Sequence, residues 1–167
     1  MKDDSLPHQF IVSDPVKCTG CMICAVECAL AKYGVLNPKK GSLRVFRKKL
    51  GFDYTVSCRH CENPECLPAC PEEAIYEKDG LVLINENQCV NCLVCVDACP
   101  YEAIFVHPDL DLPIRCDLCL GRAPYPICIA SCPVQALQLG SEELHDKLHS
   151  QEIALVKQFL AFGGNHP

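Results

Sequence analysis

The sequence has no stretch of apolar residues approaching the roughly 20 that a membrane-crossing helix needs, and no basic-then-apolar leader follows its opening residues, MKDDSLPHQF. The first absence argues against a bilayer span. The second removes support for an oxidising destination, and with it for a disulfide scaffold. Both point to a cytoplasmic protein. Gly-rich nucleotide fingerprints and flavin motifs are missing too, and the histidines fall outside any triad-like pattern, so nothing suggests a catalytic site in this chain. Nor is any cysteine left over. All sixteen fall into four consecutive quartets: Cys18-Cys21-Cys24-Cys28, Cys58-Cys61-Cys66-Cys70, Cys89-Cys92-Cys95-Cys99 and Cys116-Cys119-Cys128-Cys132.

The third quartet, closed by Pro100, has the spacing Cys-x2-Cys-x2-Cys-x3-Cys-Pro of bacterial iron–sulfur runs. The first repeats it without the proline, while the second and fourth widen one gap, to x4 and x8, and keep Cys-x3-Cys-Pro. Zinc is the rival ligand for Cys-x2-Cys pairs, but zinc sites join two well-separated pairs and need neither a third close cysteine nor a fourth before proline. Four such runs imply four [4Fe–4S] clusters. A tight Cys-x2-Cys-x2-Cys loop wraps one face of a cubane and turns backbone N–H groups toward the cluster sulfurs. Gly20, between Cys18 and Cys21, suits that close approach. The fourth cysteine of a run lies about 6 Å of helical rise beyond the third, and in two-cluster ferredoxins it ligates the neighbouring cluster.

The repeat extends past the cysteines. Pro71-Glu72-Glu73-Ala74-Ile75-Tyr76, Pro100-Tyr101-Glu102-Ala103-Ile104-Phe105 and Pro133-Val134-Gln135-Ala136-Leu137-Gln138 each follow a fourth cysteine. Each reads as one helical turn that packs an Ala-Ile or Ala-Leu pair against a cluster and then enters a strand. Leu81-Val82-Leu83-Ile84 reads as a strand after an Asp79-Gly80 turn. Elsewhere secondary structure should be sparse, because clusters fill the interior. The tail from Ser141 to Phe162 reads as an amphipathic helix with Leu144, Leu148, Leu155, Phe159 and Phe162 near one face. Ser141 can cap it, Glu142 and Glu143 suit its N-terminal dipole, and Gly163-Gly164 stop it. His145 and His149 are one turn apart on it and read as solvated positions.

The segment Pro38 to Lys49 holds six of the fifteen Lys and Arg residues and reads as a solvated hairpin face, with a docking patch for an acidic surface as its functional alternative. Lys17, Arg59 and Arg115 each neighbour a ligand, where a cation favours the more negative reduced cluster. The formal charge is −6 with neutral cysteines, and four oxidised cubanes at about −2 each bring the total to about −14, which disfavours nucleic acid or an anionic membrane as partner.

These quartets resemble those of the four-cluster ferredoxin-like subunits that accompany formate dehydrogenases, hydrogenases, carbon monoxide dehydrogenase, dimethyl sulfoxide reductase relatives and tungsten aldehyde oxidoreductases. The resemblance covers about residues 10 to 140. It implies an α+β fold of two pseudo-symmetric bacterial ferredoxin-like lobes with a C-terminal helix: residues 1–50 plus 106–140 as an outer lobe, 51–105 as an inner lobe, and 141–167 as helix and tail. Carried onto this chain, the ligand sets are Cys18, Cys21, Cys24 and Cys132; Cys116, Cys119, Cys128 and Cys28; Cys58, Cys61, Cys66 and Cys99; and Cys89, Cys92, Cys95 and Cys70. Because every quartet is complete, no three-iron site is expected. The implied role is non-catalytic electron transfer between a large molybdenum or tungsten pterin subunit, with a hydrogenase or carbon monoxide dehydrogenase as the runner-up, and an acceptor or donor subunit or ferredoxin. Self-association, an accessory role in maturation of such an enzyme, and a free soluble ferredoxin are the alternatives.

Overall fold

The computed structural model describes residues 9–47 and 52–161. No strand among them has more than five residues, and the strands pair only as four two-stranded antiparallel sheets. Strand β1 (Phe10–Ser13) pairs with β8 (Leu137–Gly140), in register from Phe10 opposite Gly140 to Ser13 opposite Leu137. Between these ends come the hairpins β2 (Leu43–Arg47) with β3 (Asp53–Ser57), β4 (Ile75–Lys78) with β5 (Leu81–Ile84), and β6 (Phe105–Val106) with β7 (Pro113–Ile114). Asp79 and Gly80 join β4 to β5 with φ of 51° and 74°, the positive pair that a two-residue hairpin needs.

Helix α1 (Ile23–Tyr33) carries Cys24 and Cys28 one turn apart, and α2 (Val94–Asp97) and α3 (Ile127–Ala130) carry Cys95 and Cys128. Helix α1 ends where Gly34, left-handed at φ 69°, returns its N–H to the Leu30 carbonyl. Small residues on α1 matter as much as its cysteines. Ala25 and Ala29 are buried, and a Cβ on Gly41 would meet the Ala25 carbonyl oxygen at 2.6 Å. Only glycine lets this loop lie against α1, and the close approach brings the next N–H, of Ser42, to Cys28 Sγ at 3.2 Å.

The buried apolar residues form separate groups. One gathers Ile11, Cys24, Ala25, Leu43, Cys58, Cys116, Cys128 and Leu137, and another Cys66, Ile75, Val82, Cys95 and Ile104. Cysteines belong to both, taking places that larger apolar side chains would otherwise fill. The expected boundary near residue 50 lies outside the described residues.

Helix α4 (Glu142–Ala161) folds back on the chain's own strands. Leu148 and Leu144 pack against Phe10 and Val12 of β1. The apolar stripe is shorter than its spacing suggests: Leu155 is 40% exposed, whereas Glu152 is buried beside His149. The stripe tracks β1 for two turns and then leaves it, because β1 has only four residues to cover. The side chain of Phe159, and Phe162, Gly163 and Gly164 altogether, lie outside the described residues. No helix among the described residues is long and apolar enough to cross a membrane.

Candidate metal centres

Each Cys-x2-Cys loop turns on a left-handed residue directly before its second cysteine: Gly20, His60, Asn91 and Leu118, with φ of 66°, 48°, 59° and 51°. That conformation tips successive N–H groups to one side of the loop, and the Cys58 sulfur accepts from His60 N at 3.3 Å in consequence. Only Gly20 was legible from residue type. At two of the other positions the structure supplies a reason for a side chain: His60 is fully buried and its Nδ1 accepts from Val82 N of β5 at 3.1 Å, and Leu118 packs against the first core group. The shared place within the run was the signal available in the sequence.

The Pro-x-x-Ala segments form hydrogen-bonded turns in place of the expected helical turn. Glu73, Glu102 and Gln135 are left-handed, with φ of 50°, 49° and 50°, which breaks the helix and aims the following N–H back at the cysteine four residues earlier. Ala74 N donates to Cys70 Sγ at 3.3 Å, Ala103 N to Cys99 Sγ at 3.4 Å and Ala136 N to Cys132 Sγ at 3.2 Å. The buried pairs Ala74-Ile75, Ala103-Ile104 and Ala136-Leu137 then lead into strands or toward them. The first run has no such segment, and Ser42 N fills the role for Cys28.

Thiols from distant runs meet. Cys18, Cys21, Cys24 and Cys132 line one pocket, and Cys70, Cys89, Cys92 and Cys95 line another. Burial pushes the Cys24 thiol up to about 12, with Cys18, Cys21 and Cys132 adding negative charge. Burial likewise pushes Cys95 up to about 11, reinforced by Cys89, Cys66, Cys70 and Cys92. Cys128 is raised by burial and then by Cys28, Cys119 and Cys24, and Cys66 is raised by burial and by Cys58 and Cys99 against the lowering effect of Arg115. Cys128 thus feels Cys24, and Cys95 feels Cys66, so the groups lie adjacent in twos.

Among the described residues, no three cysteine sulfurs lie within 4.8 Å of one another. Tetrahedral zinc with Zn–S bonds near 2.3 Å would hold its sulfurs about 3.8 Å apart. The wider spacing and the N–H groups aimed at sulfur fit a multi-iron cluster and not a single ion. Glu142, His145 and Asp146 do come within 4.8 Å, but Arg59 serves that group, donating to Glu142 Oε2 at 2.6 Å and to His145 Nε2 at 3.0 Å. His145 Nδ1, left with the proton, faces Asp146 at 3.2 Å.

The cations beside the ligands have different fates. Lys17 is exposed and paired with Asp14 at 3.4 Å. Arg115 is buried, and its guanidinium reaches Cys58 Sγ at 2.6 Å and Cys66 Sγ at 3.5 Å. Desolvation pulls its pKa down, but Cys58 and Cys66 outweigh that and the net change is upward. Three cations of the basic segment are spent internally. Lys40 pairs with Asp109 and Arg47 with Asp53, and Arg44 donates to the carbonyls of Lys39, Gly41 and Leu43 and lies over the Phe105 ring at 4.5 Å. Lys48 and Lys49 lie outside the described residues.

The 4Fe-4S dicluster domain family matches residues 52–142. This protein belongs to that family. It is 34% identical over 142 residues to the B subunit of polysulfide reductase from Wolinella succinogenes, covering 78% of this sequence and 74% of the relative. To the B subunit of anaerobic dimethyl sulfoxide reductase from Escherichia coli it is 34% identical over 154 residues, covering 80% and 74%. To the polyferredoxin-like subunit of an aliphatic sulfonate oxidoreductase from Pyrococcus furiosus it is 34% identical over 134 residues, covering 79% and 76%. The dicluster family member therefore carries [4Fe–4S] cysteine runs, with helices and strands mixed in a ferredoxin-like fold.

Proposed function

We propose that this protein is a non-catalytic electron-transfer subunit with four [4Fe–4S] clusters, linking the catalytic subunit of an oxidoreductase complex to an electron acceptor or donor. The observation that carries this is the gathering of thiols from different runs at spacings too wide for one ion. The proposed sets are Cys18, Cys21, Cys24 and Cys132; Cys116, Cys119, Cys128 and Cys28; Cys58, Cys61, Cys66 and Cys99; and Cys89, Cys92, Cys95 and Cys70. The cavities lined by Cys132 with the first run and by Cys70 with the third support this crossing. The adjacency in twos supports an outer lobe of residues 1–50 and 106–140, an inner lobe of 51–105, and a tail of 141–167.

Bound clusters supply one-electron relay between fixed points. The protein's own residues hold the ligands, aim N–H groups at them and exclude water from most of them. Cys21 and Cys92 are exposed, and apolar residues stand exposed beside them, Met22 and Ile23 at one and Val90 and Val94 at the other. We assign these two places as the points of entry and exit. By analogy with the polysulfide reductase and dimethyl sulfoxide reductase relatives, the partner is the catalytic subunit of an oxidoreductase complex, and the resemblance of the cysteine runs favours a molybdenum or tungsten pterin enzyme such as a formate dehydrogenase or an aldehyde oxidoreductase in that place.

The test is anaerobic purification from the native host. About sixteen iron and sixteen acid-labile sulfide per protein molecule, four times the cubane stoichiometry, are expected, with broad visible absorbance that bleaches on reduction and stoichiometric co-elution with a large subunit. Stoichiometric zinc without that band would overturn the cluster reading. Only transient association would favour an accessory role, and a lone monomer a free ferredoxin.

A further inference from the structure

Arg115 directly precedes Cys116 of the fourth run, yet its side chain crosses to the second run. It is 4% exposed, and both hydrogen-bond acceptors of its guanidinium among the described residues are cysteine sulfurs, Cys58 at 2.6 Å and Cys66 at 3.5 Å. A buried cation needs a compensating negative charge, because an unpaired guanidinium in the interior has lost its water and gained nothing in return. The two sulfurs of the second run are where this guanidinium directs its charge, at 2.6 Å and 3.5 Å.

Other sulfurs accept from backbone N–H groups: Cys28 from Ser42, Cys70 from Ala74, Cys99 from Ala103 and Cys132 from Ala136. Among the described residues, Arg115 is the sole cationic side chain hydrogen-bonded to a cysteine sulfur. Charge-assisted bonds are roughly twice as strong as neutral ones, and a positive charge at a ligand sulfur favours the form of the site with the extra electron.

We infer that Arg115 sets the reduction potential of the site formed by Cys58, Cys61, Cys66 and Cys99, raising it from across the fold, and does not set that of the fourth-run site beside it in sequence. This rests on the four-cluster reading above. Its consequence is a step in the relay that residues near the second run do not encode: a residue of the fourth run makes the second-run site easier to reduce.

The test is a redox titration of the whole, cluster-loaded protein followed by electron paramagnetic resonance, comparing wild type with Arg115→Gln and Arg115→Lys. The fourth-run signal is identified by its loss in Cys119→Ser. In Arg115→Gln one cluster should become at least tenfold harder to reduce, which is about 59 mV for a one-electron couple, with the other three unchanged and iron content intact. Arg115→Lys keeps the charge but replaces the planar fork with a compact, strongly hydrated ammonium, so the same cluster should shift in the same direction by less. Unchanged potentials in the loaded variants, or displacement of the fourth-run signal, would overturn the inference. A wild-type protein that never shows iron–sulfur signals would instead overturn the four-cluster reading, so the two failures are told apart.

Discussion

The guanidinium of Arg59 lies 4.0 Å above the ring centroid of Tyr101. Arg59 follows Cys58 and Tyr101 follows Cys99-Pro100, so the stack ties the second run to the end of the third. The same guanidinium is 5.4 Å from the Phe10 ring and pairs with Glu142 at the start of α4. A cation over an aromatic face contributes about 0.5–2 kcal/mol, and a partly exposed ion pair adds up to about 1 kcal/mol. Arg59→Ala should therefore lower stability by about 1–3 kcal/mol and release α4, seen as faster proteolytic trimming after residue 140. Arg59→Lys, which loses the flat stacking surface, should fall between. Unaltered trimming in Arg59→Ala would show that Leu144 and Leu148 hold the helix without it.

Loading of the cysteine sites should depend on pH. Before metal enters, burial holds Cys24 at about 12 and Cys95 at about 11, above the ordinary 9.0 of a thiol. Because these folded-state values are raised, the neutral thiols stabilise the unfilled fold below pH 9.0, and that contribution is lost as pH climbs through about 11 and about 12. Iron must also displace their protons. Anaerobic reconstitution with ferrous iron and sulfide should release protons into a weakly buffered solution and proceed more completely at about pH 8 than at about pH 6. Indicator-dye measurements and iron content check both, and pH-independent loading without proton release would refute the thiol states assigned here.

Gly20 and Asn91 share a backbone conformation and differ in surroundings. A Cβ on Gly20 would press into the buried carboxylate of Asp53, whereas Asn91 already carries a side chain at φ 59°. Gly20→Ala should lose about 1–3 kcal/mol from backbone strain alone, with the Asp53 clash added. Asn91→Gly should leave stability within about 0.5 kcal/mol. Thermal melts of the loaded variants provide the comparison, and equal effects would refute both the strain and the Asp53 clash at Gly20.

Crossed ligation makes Cys28→Ser informative. The Cys28 thiol feels Cys119, and Cys128 feels Cys28. The variant should damage the cluster assigned to Cys116, Cys119 and Cys128 and spare the one assigned to Cys18, Cys21 and Cys24. Magnetic resonance of the reduced protein would detect the opposite outcome as loss of the first-run signal.

The sequence made the cysteine runs, the β4–β5 hairpin and the buried Ala-Ile and Ala-Leu pairs legible, because each depends on neighbours within a few residues. What stayed hidden depends on distance. Nothing in Phe10–Ser13 announces Leu137–Gly140 as its partner, since a four-residue strand has too little pattern to specify a mate. Leu93 and Met22 adopt positive φ against their intrinsic preference where the chain enters α2 and α1. Arg115 could be placed beside a ligand from sequence, but its contact with the second run required the fold. The basic segment looked like a solvated face, yet Arg44 is consumed by local carbonyls. The burial of Glu152 and exposure of Leu155 follow from where β1 ends, which helical periodicity alone does not reveal.

Pairing of β1 with β8 also orders events on the ribosome. Cys58 to Cys99 emerge as one uninterrupted stretch. Cys18, Cys21 and Cys24, by contrast, must wait for Cys132 and for the strand at Leu137 that lies beside them. At the usual pace of synthesis that delay is on the order of ten seconds. During it, the three thiols of the first run are without the neighbours that later shelter them. An oxygen pulse during translation should therefore strike the first run before the others.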